Sequence, residues 1–339
     1  MTFFISFFVT GFLIFIANRW GFGIDKTNGE QKFHKNITPR VGGIAIYFSI
    51  IFTLLVNQID AYQFFLPLTL LFFFTLYEDL IDQIKAIYRL IVIFITSFFL
   101  VYINSFSIKN LGIPILDGLL ENQIFNIFFT VTTIALVVNA FNIIDGFNGL
   151  LSGYSIVVLI ALIFVSFSNN NQSILYFSTI TLMAILGFFV WNFPFGKVFL
   201  GDSGAYFLGM IISYLVLKLV HSSDTISNWY PLALLIYPVF EVIFSVVRKK
   251  LIQKKEAMKP DGLHLHMLIF KKVINCKFFK NQNFCNSATS IFLWLLASIP
   301  ITAANYWYGN SLFLFLISVF FIILYSIIYI FLLKSKKDI

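Results

Sequence analysis

Long apolar runs, almost free of charge, leave this chain few ways to fold. Residues 311–333 are interrupted only by serine and tyrosine, and similar stretches recur along the whole length. A helix that crosses a bilayer needs about 20 mostly apolar residues. The runs are continuous rather than alternating, which favours helices over the strands of a closed barrel. About eleven candidate spans follow: 2–18, 42–57, 63–77, 89–107, 124–142, 149–167, 174–191, 204–220, 230–247, 287–304 and 311–333. Charged residues make up 11% of the chain, against roughly 25% in soluble domains. That deficit excludes a soluble enzyme, a disordered chain and a basic nucleic-acid-binding protein, despite a formal net charge of +8. No repeat or low-complexity linker divides the chain. Residues 1–339 are expected to form one integral membrane domain, an all-α polytopic bundle.

An odd number of spans puts the termini on opposite sides, and the distribution of Lys and Arg says which side is which. Loops after the odd-numbered spans, with the C-terminal tail, hold all 23 Lys and Arg except Lys109 and Lys218. The N-terminus is therefore expected outside and the C-terminus in the cytoplasm. The first span lacks a basic leader and a small-residue cleavage site, so it is expected as an anchor rather than a cleaved signal peptide. Cys276 and Cys285 fall in a cytoplasmic loop and are expected as reduced thiols.

Acids, amides and histidines gather in the same inner loops, so the active face is expected to be cytoplasmic. Of 15 Asp and Glu, only Asp60, Asp117, Glu121 and Asp224 lie outside. Lys32-Phe-His-Lys35 and Pro39-Arg-Val-Gly-Gly43 precede the second span and read as an anion clamp, or as ordinary positive-inside charge. Glu78-Asp79-Leu-Ile-Asp82 ends the third span. Acids so close repel unless a cation or proton sits among them, which suggests a metal–diphosphate site or a base; Lys85 and Arg89 could equally balance a solvated helix end. Asn139, Asn142 and Asp145 recur at helical spacing before the turn Gly146-Phe-Asn148-Gly149. Asn192 and Phe199 lead into Gly201-Asp202-Ser-Gly204, where an acid between glycines suits Mg²⁺, a cation that takes oxygen ligands, or else caps a helix. His264-Leu-His266 lies in the long basic loop. With Cys276 and Cys285 it makes a poor zinc pattern, and contact with phosphate or nucleotide is the better expectation. Cations, acids and amides on one membrane face are what phosphoryl transfer between a soluble nucleotide and a lipid phosphate needs.

Four motifs carry a resemblance: Pro39-Arg-Val-Gly-Gly43, Asn139…Asn142…Asp145-Gly…Gly149-Leu150, Gly201-Asp202-Ser-Gly204 and His264-Leu-His266. In this combination and order the chain resembles the polyprenyl-phosphate N-acetylhexosamine-1-phosphate transferases, the MraY/WecA-like superfamily of glycosyltransferase family 4 type. The resemblance implies transfer of a sugar 1-phosphate from a UDP-sugar donor to a polyprenyl (undecaprenyl) phosphate acceptor, releasing UMP. It implies Mg²⁺ as cofactor, with Mn²⁺ as the other candidate, and a multi-pass protein of the inner (cytoplasmic) membrane. By that similarity Asp202 is the metal ligand, and Glu78, Asp79 and Asp145 are the catalytic acids. Lys32, Lys35, Asn142, Asn148, Asn192, Phe199, His264 and His266 form the nucleotide- and phosphate-binding set. Homodimerisation is expected by analogy alone, and no nucleic acid partner is expected.

Three departures stand out. Glu78 replaces the first acid of the family pair, Asn148 the second acid of the usual Asp-Gly-x-Asp turn, and Met267 a member of the histidine cluster. They point away from the peptidoglycan branch and towards initiation of a surface polysaccharide such as O-antigen or capsule. The alternatives are a catalytically inactive relative with a structural role, or a lipid or solute transporter. A transporter would place its charges nearer the bilayer midplane and show two related halves.

Overall fold

The computed structural model describes residues 1–25, 37–59, 61–81, 85–252, 254, 262–274, 276 and 282–335. It is a bundle of apolar helices: α1 (Thr2–Trp20), α2 (Gly42–Val56), α3 (Tyr62–Ile81), α4 (Ala86–Asn104), α5 (Pro114–Leu120), α6 (Gln123–Ile144), α7 (Leu150–Ser168), α8 (Gln172–Asn192), α9 (Gly201–His221), α10 (Tyr230–Val247), α11 (Leu265–Lys272), α12 (Gln282–Tyr306) and α13 (Ser311–Lys334). Among the described residues ten helices are long and apolar enough to cross a membrane, and α2, at 15 residues, is a shorter eleventh. The chain is thus an all-α polytopic membrane protein.

Burial separates centre from rim. The α9 span is 83% buried, against 22% for α1 and 28% for α13. Helices α2, α3 and α6 pack round α9, while α1 leans on α8 and α2. On α1 the exposed Phe4, Phe8, Phe12 and Phe15 share one stripe at helical spacing, suited to lipid. Many hydroxyl side chains inside the bundle bond to a carbonyl one turn back or across to a neighbouring helix, which suits a medium without water. Thr75 and Ser213 donate to the carbonyls of Leu71 and Gly209 one turn back, and Thr2 bonds Thr53 across α1 and α2 at 2.9 Å. Pro238 lacks an N–H, which deprives the Leu234 carbonyl of its helical partner. Tyr154 of α7 fills that place, its hydroxyl donating at 3.0 Å.

Several boundaries differ from the sequence expectation, and each shift moves a polar group. Helix α3 continues to Ile81, so Glu78 and Asp79 sit in its last turns. Helix α4 begins at Ala86, placing Arg89 in its first turn. Helix α12 begins at Gln282, so Cys285 and Asn286 belong to it. The expectation of two reduced thiols is corrected: Cys276 and Cys285 are joined as a disulfide, with Cα atoms 5.3 Å apart. The reason is that the first turns of α12 come back against Cys276, a proximity that spacing alone did not convey. Two short strands, β1 (Ile24–Asp25) and β2 (Thr38–Pro39), pair antiparallel and bring Arg40 beside Asp25. The ends of α3, α6, α8 and α10 and the starts of α2, α4, α7, α9, α11 and α12 lie at one end of the bundle. At that end a cavity of about 370 Å³ is lined by residues of β1, α4, α6, α8, α9, α11 and α12 and of the turns beside them.

Candidate active site

Backbone contact between two motifs builds the cavity floor. The N–H groups of Gly42 and Gly43 donate to the carbonyls of Phe199 and Leu200 at 3.0 and 2.8 Å, and the Phe199 N–H donates to Pro39 at 2.8 Å. This approach needs glycine: a Cβ on Gly43 would stand 2.6 Å from the Gly204 backbone. Gly201, with φ +80°, makes the left-handed turn that starts α9. The result presents Arg40 and Asp202 side by side at the cavity, with Phe199 in its wall.

The acids divide the work around Asp202. Asp79 accepts the backbone N–H groups of Asp202 and Ser203 at 3.0 and 2.9 Å. It therefore caps α9 from another helix, satisfying donors that a helix start leaves open. Glu78 pairs with Arg89 at 3.2 Å, and Arg89 donates to Asp202 Oδ2 at 3.0 Å. Asn142 Nδ2 donates to Asp202 Oδ1 at 3.0 Å. Asp202 is thus aimed by Asp79 through its backbone and by Arg89 and Asn142 through its carboxylate. Glu78 and Asp79 stand behind it, outside the cavity lining.

Asp145 ends α6 one turn beyond Asn142 and lines the same cavity. Burial, then the like charges of Asp202 and Asp79, push its carboxyl up to about 7. Opposite lie His264 and His266, at the start of α11, with ring centroids 5.4 Å apart and nearly parallel planes. Burial pushes the His266 imidazole down to about 3, so it stands neutral against Gly146 and Phe147. His264 Nδ1 is 2.9 Å from the Glu241 carboxylate.

Two amides of the expected binding set are engaged within the protein. Asn192 Oδ1 accepts from the Gly149 N–H at 2.8 Å and from the Ser152 hydroxyl, while its Nδ2 donates to the Val198 carbonyl at 2.7 Å. It ties the turn after α6 to the turn before α9. Asn148 donates its N–H to Asn286 Oδ1 at 2.7 Å, and its side chain packs on Gly196. The structure therefore gathers Asn142, Asp145, Asn148, Asn192, Phe199, Asp202, His264 and His266 at one cavity. Lys32 and Lys35 lie outside the described residues.

Arg40, of the segment read from sequence as an anion clamp, lines the cavity. Arg89, Asn286 and Glu241 were not among the site residues expected from sequence; the first two line the cavity. Glu241 had a signal of its own, as an acid within the apolar run 230–247, where an ionisable group is by default functional.

Among the described residues no three His, Cys, Asp or Glu side chains gather as a metal cage. Mg²⁺ does not require one, since it commonly takes one or two carboxylates and completes its shell with water and substrate phosphate. Asp202 in the cavity lining, with Asp145 raised by burial and then by the neighbouring negative charge, suits such an ion. Arg40, Arg89 and His264 add the donors that phosphate oxygens need. The cavity can therefore hold a diphosphate and one divalent cation.

The glycosyl transferase family 4 model matches residues 61–220, a stretch that holds Glu78, Asp79, Asn142, Asp145 and Asp202. The chain is 32% identical over 269 residues to the undecaprenyl-phosphate alpha-N-acetylglucosaminyl 1-phosphate transferase of Thermotoga maritima, covering 79% of this chain and 80% of that protein. It is 29% identical over 240 residues to the probable undecaprenyl-phosphate N-acetylglucosaminyl 1-phosphate transferase of Bacillus subtilis, covering 70% and 67%. A more distant match, 26% over 223 residues, is the putative UDP-N-acetylglucosamine–dolichyl-phosphate N-acetylglucosaminephosphotransferase of Sulfolobus acidocaldarius, covering 60% of this chain and 67% of that protein.

Proposed function

The chain belongs to glycosyl transferase family 4, and from that membership we propose that it transfers N-acetylhexosamine 1-phosphate from a UDP-sugar to undecaprenyl phosphate. An oxygen of the lipid phosphate attacks the sugar-bearing phosphorus of the donor. The bond from that phosphorus to the bridging oxygen breaks, and UMP leaves with the oxygen. The observation that carries the reading is the single cavity in which Asp145 and Asp202 face Arg40, Arg89 and His264. Arg40 and Arg89 bind the diphosphate oxygens, and Asp202 holds the cation. Mg²⁺, when bound, supplies neutralisation of the diphosphate charge. Asp145 is the acid on the cavity wall whose proton is exchangeable near neutral pH, which suits it to orient the attacking phosphate. The whole chain acts as one unit, with the cavity on the cytoplasmic side of the inner membrane, and its product starts a surface polysaccharide.

The test is UMP release by purified protein given undecaprenyl phosphate, Mg²⁺ and a panel of UDP-N-acetylhexosamines. We expect release with at least one donor, dependent on both lipid and metal and lost in Asp202→Ala. No release with any donor, together with no binding of any UDP-sugar, would sink the reading.

A further inference from the structure

Glu241 is a carboxylate on α10, only 1% exposed, standing apart from the acids around Asp202. Every contact it makes leads to the histidine segment or braces it from behind. Oε1 accepts from His264 Nδ1 at 2.9 Å and from the Leu265 N–H at 3.2 Å. Oε2 accepts from the Tyr325 hydroxyl of α13 at 2.7 Å. One turn further along α13, Tyr329 donates to the Leu263 carbonyl at 2.9 Å. Residues 263–265 are therefore gripped from two helices, and the gripped side chain that reaches the cavity is His264.

We propose that Glu241 is a positioning residue for the transfer reaction: it holds His264 by Nδ1, so that Nε2 is the nitrogen offered to the donor's diphosphate. The proposal rests on the reading of the cavity as a nucleotide-sugar site. A carboxylate behind a histidine fixes its tautomer and ring orientation. A purely structural role is a weak reason for burying a charge here, because apolar side chains of similar volume often serve stability as well or better. Among the described residues, the groups facing the pair include Tyr237 on α10 itself, His266 beside His264 on α11, and Tyr325 behind Glu241 on α13. His266, held neutral by its burial, leaves Glu241 to His264.

The experiment uses full-length protein in detergent, ¹⁵N-labelled at histidine, with His264 assigned through His264→Gln. The wild type should show the Nδ1–H tautomer at His264. Glu241→Met should lose that preference and weaken UDP binding about tenfold. Glu241→Gln, which can still accept from Nδ1, should recover most of both. In the His264→Gln background, Glu241→Met should change UDP affinity by less than about twofold, because the effect runs through the histidine. An Nε2–H tautomer in the wild type, or equal weakening by Glu241→Met in both backgrounds, would overturn the proposal. So would failure of both Glu241 variants to fold while His264→Gln folds, since Glu241 would then belong to folding alone. A wild type that binds no UDP and releases no UMP, yet keeps a Glu241-dependent tautomer, would overturn the donor reading and leave the pairing standing.

Discussion

At the scale of single residues, Asp202 is the centre and its neighbours set its aim. Asn142→Ala removes one of the two side-chain donors on the Asp202 carboxylate and should lower turnover about 10–100-fold, as loss of a partner to a metal-binding group does. A UMP-release assay at saturating Mg²⁺ measures it, and wild-type turnover would remove Asn142 from the site. Asp79 separates two roles cleanly. As a cap it needs only acceptor oxygen, so Asp79→Asn should keep more than a tenth of the activity while Asp79→Ala loses it. Equal loss in both would return Asp79 to the role of a base. Asp145 predicts a pH dependence. Its carboxyl is raised from the ordinary aspartate value to about 7, so the folded chain binds more protons than the unfolded one in between. The Asp145 contribution to stability should therefore fall as pH rises from about 4 to about 7 and level off above, while His266 contributes in the opposite sense below about pH 6.5. The stability of the wild type relative to Asp145→Asn, read from melting curves in detergent, should fall over that range. The acids and amides were legible in sequence as polar groups that lipid would not tolerate. Arg89 and Glu241 were not read as site residues, because their meaning depends on partners 113 and 23 positions away.

At the scale of elements, small boundary shifts decide which groups meet. Three further residues at the start of α4 and four at the end of α3 turn an acidic run, open from sequence between a metal–diphosphate site, a base and a solvated helix end, into the Glu78–Arg89–Asp202 chain. The starts of α2 and α9 meet through Gly43 and Gly204, where a Cβ on Gly204 would lie 2.6 Å from the Leu200 side chain and 2.8 Å from Gly43. Gly204→Val should cost about 1–3 kcal/mol through overpacking and abolish UMP release by parting Arg40 from Asp202. A variant that melts like the wild type would show that the junction is looser than drawn. Tyr154→Phe leaves the Leu234 carbonyl beneath Pro238 without its donor. The expected loss is about 1 kcal/mol, readable as a lowered unfolding midpoint. Sequence patterning gave the helices but misplaced their ends, since an apolar run does not say where a polar residue finds a partner and lets the helix continue.

At the scale of the whole molecule, every motif named from sequence and described in the structure lies at the same end of the bundle. Among the described residues that end carries every Lys and Arg except Lys109 and Lys218, so it should be cytoplasmic. A single cysteine introduced at Lys197, in a background with Cys276 and Cys285 replaced, should resist an impermeant thiol reagent applied from outside. Labelling from outside would invert the topology. The apolar runs, the charge asymmetry and the motif order were enough to determine a polytopic helical membrane protein and its family, because lipid admits few backbone solutions and punishes every stray charge. What the sequence could not decide was the assignment of tasks among similar groups. Only the folded bundle makes Asp79 a cap, Asp202 the half-buried acid of the cavity, Asn192 a brace and Glu241 the support of a histidine. The physical reason is that a carboxylate or amide acts through whatever hydrogen-bond partners surround it. Those partners come from helices that are remote in the chain and adjacent only after packing.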